Sequence, residues 1–198
     1  MTNVIKSVLY IKINYIISVS KQYKGGIKLN NNQKVSKIVT LSMAIALVTV
    51  CTMVIRIPTV KGYTNFGDIM IFVIAAILGR KYGLIAGGIG SMMADLLGGY
   101  FIYVPATLVI KGIEGFLFSI VYEKLNQETT IATLIAGLVA ALEMMTGYFI
   151  YNYFMTGYAA ALTSLISGDI TQGLVSAVIA VPIILAIKKT KFRLINQQ

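Results

Sequence analysis

The chain has 198 residues, 57% of them hydrophobic and 12% charged, against roughly 45–50% and about 25% in ordinary globular domains; its mean hydropathy is +0.81. A soluble domain of this size buries only about 70% of the surface its unfolded chain exposes, so this composition places the chain in a membrane. Histidine is absent and cysteine occurs once, at Cys51, which excludes imidazole-based catalysis, histidine metal sites, disulfide frameworks and cysteine zinc sites. The net charge of +10 comes from Lys and Arg that flank apolar runs and form no stripe, so they read as determinants of membrane topology and give no sign of nucleic-acid binding.

Residues 1–33 stand apart as an N-terminal extension. Val4 to Val19 is apolar but interrupted by Lys6 and Lys12, which makes it a poor span and a poor secretory signal. It reads as a basic interfacial helix, as a disordered stretch, or as sequence that is not translated. The last reading is preferred here: Lys24-Gly25-Gly26 can be encoded by a purine-rich ribosome-binding sequence, and Leu29 follows at a spacing that suits a TTG start codon.

Residues 34–198 are expected to form one all-α membrane domain. Six stretches approach the ~20 apolar residues that a helix needs to cross a bilayer: 37–57, 63–79, 82–99, 104–122, 130–154 and 166–187. Asp68 and the early stop at Arg80-Lys81 make the second the weakest. No ten-residue alternation points to a barrel, so these are read as helices. The longest connection is expected around Tyr153 to Leu165. Lys34, Lys37, Arg80, Lys81, Lys124, Lys188, Lys189, Lys191 and Arg193 fall on one side, with only Arg56 and Lys61 on the other; the bias puts both termini in the cytoplasm. Tyr63, Tyr100, Tyr103, Tyr148, Tyr151, Tyr153 and Tyr158 then gather on the outer side, either as an interfacial belt or as part of a site.

Small residues recur at spacing four, as close helix packing in membranes requires: Gly83, Gly87, Ser91 and Asp95, beside them Gly90, Ala94 and Gly98, then Ala132, Ala136 and Ala140. In the first span Ser42 and Ala46, with Ala44 alongside, read as packing or as a docking face for another membrane protein. Intramembrane charges are costly and usually face an interior. Asp68, Asp95, Glu114, Glu143, Asp169 and Lys111 all fall in or at the ends of spans. Lys111 and Glu114, three apart, can neutralise each other; Asp68 and Asp169 can also be read as first-turn acids favoured by the helix dipole. Asp169, Gln172 and Ser176 share one face and make a polar track. Together, Asn65, Asp68, Asp95, Tyr100, Tyr103, Glu143, Tyr148, Asn152, Asp169 and Gln172 sketch a site for a small, flat, polar molecule at the outer ends of spans two to six. Gly88-Ile89-Gly90-Ser91 is superficially like an intramembrane serine protease motif, but the base is missing. No G-x-x-x-x-G-K-[ST] loop is present, and no catalytic residue, cofactor or metal is expected.

Several blocks carry a resemblance: Tyr63-Thr64-Asn65-Phe66-Gly67-Asp68, Leu78-Gly79-Arg80-Lys81-Tyr82-Gly83, Ala86-Gly87-Gly88-Ile89-Gly90-Ser91 running into Ala94-Asp95-Leu96-Leu97-Gly98-Gly99-Tyr100, Pro105-Ala106-Thr107, and Ile110-Lys111-Gly112-Ile113-Glu114-Gly115. Over about residues 34–190 the chain resembles the substrate-binding S components of energy-coupling factor (ECF) transporters, in the branch associated with hydroxymethylpyrimidine and vitamin B6 compounds and sometimes labelled riboflavin-type. The resemblance implies a six-helix membrane subunit that binds a vitamin or precursor at the outer face, docks on a transmembrane T component carrying two cytoplasmic ATPases, and topples in the membrane to release its substrate. It also implies that Tyr63, Thr64, Asn65, Asp95, Tyr100, Tyr103 and the outer halves of spans five and six contact the ligand. Docking would fall to the first-helix motif, of which Ser42, Ala44 and Ala46 are an imperfect version. Lys111 and Glu114 rank lower as ligand contacts, since an ion pair explains them. The competing expectation is a free-standing ion-coupled carrier using Asp95 or Glu143 as a relay; against it, the two halves show no internal repeat. A membrane enzyme acting on lipid finds almost no motif support.

Overall fold

The computed structural model describes residues 31–54, 56–59, 62–125 and 129–196, and the side chains of 34–54, 65–125 and 129–189. The N-terminal extension through residue 30 lies outside them. Two compact units divide the chain, Met1–Val39 and Thr40–Gln198, and the architecture below is that of the second.

Helices dominate it. Helix α1 (Asn31–Val54) enters from the first unit; a short antiparallel hairpin of β1 (Arg56–Thr59) and β2 (Gly62–Asn65) follows, with Arg56 opposite Asn65. Then come α2 (Gly67–Leu78), α3 (Arg80–Gly98), α4 (Val104–Lys124) and α5 (Thr130–Thr156). Helix α6 (Tyr158–Ser164) runs through a π-helical turn (Leu165–Asp169) into α7 (Ile170–Asn196) with no break in helical backbone. The all-helical expectation therefore holds apart from the hairpin.

Four helical stretches among the described residues are long and apolar enough to cross a membrane: Lys34–Val54, Val104–Lys124, Thr130–Thr156 and Tyr158–Lys189. Three of the six anticipated spans differ. The second begins at Gly67 because residues 62–65 pair with β1 as a strand; the remaining 12 residues reach only about 18 Å at 1.5 Å per residue. The third keeps 19 residues but carries Arg80, Lys81 and Asp95. The connection expected around Tyr153 to Leu165 is helical except at Gly157, so the last span starts at Tyr158.

Reversals of direction rest on glycine. Gly79 alone joins α2 to α3 with φ +88°, a conformation that side-chain-bearing residues rarely adopt. The chain folds back there, setting Gly83 against Ala75 and Gly87 against Ile71. Gly83 also abuts the backbone of Gly115, and Gly88 that of Leu108, so α3 lies backbone-to-backbone on α4. Gly90 receives Val48 of α1, where Thr49 Oγ1 donates to the Gly90 carbonyl at 2.9 Å. Gly137 meets Ala177, and Gly173 meets Ala141, closing α5 on α7. These contacts match the spacing-four pattern of small residues and the dispersion-driven packing of helices in lipid.

The core runs through Ile71, Phe72, Phe118, Tyr122, Ala136, Ala140 and Ile184, all buried, with Phe72 and Phe118 stacked at 4.8 Å. Outside it, Leu97, Phe101, Ile131, Leu142, Phe154 and Val178 are exposed, a surface suited to hydrocarbon. In α1, Met43, Leu47, Val50 and Val54 face outward, as do Ser42 and Ala46. Ala44 does not: it is 5% exposed and sits in the core, so it cannot belong to a docking face, because its methyl packs inside the bundle.

Candidate ligand-binding site

The hairpin, the α3–α4 turn and the α5–α6 junction lie at the same end of the helix bundle, and a polar cavity opens among them. Its volume is about 70 Å³, several times the roughly 10–15 Å³ needed to hold one water.

Gly99 builds one wall. It ends α3 in the left-handed region at φ +81°, and the Tyr100 amide closes the cap on the Asp95 carbonyl at 2.9 Å. That turn brings Tyr100 and Tyr103 to the cavity. One α-turn below, Ser91 and Asp95 contribute from α3. Thr107 Oγ1 on α4 donates to Asp95 Oδ2 at 2.5 Å and lies 3.0 Å from Tyr148 Oη on α5. Since the threonine has one proton to give, the tyrosine is the donor in that second bond. The chain therefore runs Tyr148 to Thr107 to Asp95, with the carboxylate as its sink.

The opposite wall comes from α5 and the π-helical turn. Tyr103 Oη donates to Asn152 Oδ1 at 3.1 Å; Asn152 Nδ2 reaches Ser164 Oγ at 3.4 Å, and Ser164 Oγ reaches Asp169 Oδ2 at 3.4 Å. The extra residue of a π turn shifts the helical register and sets Ser164, Gly168 and Asp169 together on the cavity. Asp169 thus lies well inside a helix, so the first-turn explanation drawn from Ser167-Gly168 does not apply. Tyr151 packs on Tyr103 at 5.8 Å between rings and donates to the Ile102 carbonyl.

The floor is charged. Lys111 Nζ lies 2.5 Å from Asp68 Oδ1, 3.0 Å from Glu114 Oε2, and 5.6 Å from the centre of the Tyr148 ring. All three charged side chains are at most 3% exposed. The anticipated Lys111–Glu114 pair is present, but Lys111 has a second partner in Asp68 and also lines the cavity. Gln172 of α7 donates from Nε2 to Asp68 Oδ2 at 2.8 Å and accepts at Oε1 from the Asn65 amide at 3.0 Å.

Of the expected site residues, Asn65, Asp95, Tyr100, Tyr103, Tyr148, Asn152, Asp169 and Gln172 meet at this cavity. Asp68 does not line it; its carboxylate lies behind the wall, held by Lys111 and Gln172. Glu143 does not line it either: it is half-buried on α5, with Oε2 buried and unpaired among the described residues. The side chains of Tyr63 and Thr64 lie outside those described. Ser176 continues the face of Gln172 as a buried residue. Thr52, Ser91, Thr107, Ser164 and Gly168 complete the wall without being among the expected contacts, and Lys111, ranked low as a contact, lines it too. For Ser91 and Thr107 a signal existed: each sits in a small-residue block that also carries site residues. Of the tyrosines assigned to a belt or a site, Tyr100, Tyr103 and Tyr148 go to the cavity, while Tyr153 and Tyr158 stay exposed. Among the described residues no three acidic or cysteine side chains converge as a metal site.

Comparison with known proteins agrees with this architecture. Residues 32–189 match the family described as ECF-type riboflavin transporter, S component. A protein of Pyrococcus woesei named only as an uncharacterized protein in a gap 3′ region is 37% identical over 140 residues, 67% of this chain and 88% of its own length. The thiamine precursor transporter HmpT of Lactococcus lactis subsp. cremoris (strain MG1363) is 28% identical over 142 residues, 70% of this chain and 80% of that protein. In structure, the chain is similar to the S component for biotin from an ECF-type ABC transporter, with a TM-score of 0.62 over 81% of this chain and 95% of that one at 22% identity, a likeness of fold. With the family match spanning most of the sequence and the helical cavity in place, the chain belongs to the S components of ECF-type transporters, membrane transport subunits and not enzymes.

Proposed function

We propose that this subunit captures a small heteroaromatic vitamin or vitamin precursor, of the hydroxymethylpyrimidine or pyridoxine kind, on the outer face of the cell membrane. The six helical segments, α1 to α5 and the continuous α6–α7, lie in the membrane region with both termini in the cytoplasm, and uptake is driven by ATP hydrolysis on two partner ATPases reached through a transmembrane T component. The observation that carries this reading is the cavity itself: three tyrosines, Tyr100, Tyr103 and Tyr148, around Asp95, Asn152 and Asp169. Aromatic faces with a few directed polar groups suit a flat ring bearing amino or hydroxyl substituents. The HmpT relative supports the same substrate class. The basic residues at the end opposite the cavity, Arg80, Lys81, Lys124, Lys188 and Lys189, support a cytoplasmic placement of that end.

Native mass spectrometry of the purified protein, before and after incubation with hydroxymethylpyrimidine, tests the substrate class; retention of a single-ring compound is expected. Vesicle uptake with and without the ATPase and T subunits tests the coupling. Accumulation on an ion gradient alone would replace this reading with that of an ion-coupled carrier. Asn65→Ala and Tyr103→Ala should each weaken binding of the pyrimidine roughly tenfold or more, the worth of one buried hydrogen bond or aromatic contact, with expression and monodispersity unchanged. Normal affinity in both variants would place the ligand elsewhere.

A further inference from the structure

One side chain ties the hairpin to the charged floor of the cavity. Gln172 is 7% exposed. Its Oε1 accepts from the Asn65 amide at 3.0 Å and from Asn65 Nδ2 at 3.4 Å, while its Nε2 donates to Asp68 Oδ2 at 2.8 Å. The acceptor of the amide is thereby filled by protein. Asn65 is committed in turn: its Oδ1 accepts from the Gly67 amide at 2.8 Å, satisfying one of the free N–H groups at the start of α2. A side chain at position 67 would strike both Thr52 Oγ1 and Asn65 Oδ1, so the junction has no slack. The bonds therefore run without interruption from the end of β2, through α7, to Asp68 on α2 and Lys111 on α4, and Asn65, Gln172 and Lys111 all face the cavity.

We propose that Gln172 is a positioning residue: it straps the end of the β1–β2 hairpin and the start of α2 to the buried Asp68–Lys111 pair, and so sets how long a ligand is held. This goes beyond the capture role proposed above, because it gives Gln172 a task that exists before any ligand arrives. A ligand leaving the cavity past Asn65 must wait for the strap to open, whereas a Gln172 that merely contacted ligand would leave the hairpin indifferent to its loss.

The test begins on ligand-free protein. Hydrogen exchange is compared between the parent chain and Gln172→Leu, which keeps the bulk and removes the three bonds. The amides of residues 62–67 should exchange at least about tenfold faster, as expected for loss of buried hydrogen bonds of which one ends on a charged group, while those of α4 and α5 are unchanged. Asn65→Ala, which keeps only the backbone bond to Gln172, should accelerate the same segment and serves if the leucine variant does not fold. Dissociation of tritiated hydroxymethylpyrimidine from Gln172→Leu should be faster by a similar factor. Unchanged exchange at 62–67 would overturn the proposal, and weakened binding with unchanged exchange would make Gln172 a ligand contact instead. If the pyrimidine does not bind the parent chain, the substrate assignment falls while the exchange result still decides the strap.

Discussion

Lys111→Met is expected to cost the fold about 3–5 kcal/mol, the range for removing one partner of a buried ion pair. The ammonium is at most 3% exposed and lies between two carboxylates, Asp68 and Glu114, that are equally sealed. Methionine fills much of the space but leaves both acids in an apolar interior with no cation, and an uncompensated buried charge is more expensive than the pair it came from. For a chain of this length about 2–4 °C is lost per kcal/mol, so the apparent melting temperature in detergent should fall by at least about 6 °C. Neutralising the acids separates charge from packing. Glu114→Gln leaves the Lys111–Asp68 pair intact and should be far milder than Lys111→Met. Asp68→Asn should be harsher than Glu114→Gln, since Asp68 also accepts from Gln172. Combining Lys111→Met with Asp68→Asn and Glu114→Gln should recover much of the loss. A Lys111→Met protein that melts with the parent would show that the cluster carries no structural load, and Lys111 would then be free to serve the ligand.

The parts of this arrangement that were legible in sequence are those set by a rule operating along one helix. The Gly83, Gly87, Ser91, Asp95 line lies on a single face, so its burial followed from spacing alone, and Asp95 indeed points into the bundle at 7% exposed. Lys111 and Glu114 are three apart, and their pairing is equally local. What escaped was everything decided between elements. That Lys111 also takes Asp68, 43 positions away, depends on how α2 folds back at Gly79, and no periodicity encodes it. The hairpin was missed because four-residue strands flanking Lys61 have no alternation long enough to compete with an apolar run that starts at Tyr63. The π turn is invisible to a 3.6-residue pattern by construction; it joins Tyr158–Ser164 to the helix that follows, so the last span starts at 158 and not at 166. Glu143 illustrates the opposite case. In sequence, an intramembrane acid near other site residues reads as part of the same wall, yet its place on α5 keeps it off the cavity that Tyr148 and Asn152 of the same helix reach.

Gly87→Leu should abolish the folded protein. A Cβ at position 87 would lie 2.5 Å from the Lys111 carbonyl oxygen and 3.2 Å from Ile71 Cγ2, and the first of these is backbone, which no rotamer change can move aside. Neighbouring turns give no room: Gly83 would meet the Gly115 carbonyl at 2.7 Å, and Gly88 that of Leu108 at 2.6 Å. Overpacking by extra methylenes costs about 1–3 kcal/mol in ordinary cores, where side chains can yield; here α3 would have to leave α4 altogether. Because membrane helices have no hydrophobic force to hold them together once close packing is lost, the expected result in detergent is aggregated material with no cooperative melting. Gly112→Ala is the control: its nearest neighbour, the Leu84 carbonyl, lies at 3.2 Å, so α3 and α4 need part by only a few tenths of an ångström and the protein should remain monodisperse. The carbonyl that Gly87 abuts belongs to Lys111, so the same contact that joins α3 to α4 also fixes the depth of the charged floor. A Gly87→Leu protein that stays folded would mean that the two helices can part without loss, and the position of Lys111 beneath the cavity would then no longer be determined by their packing.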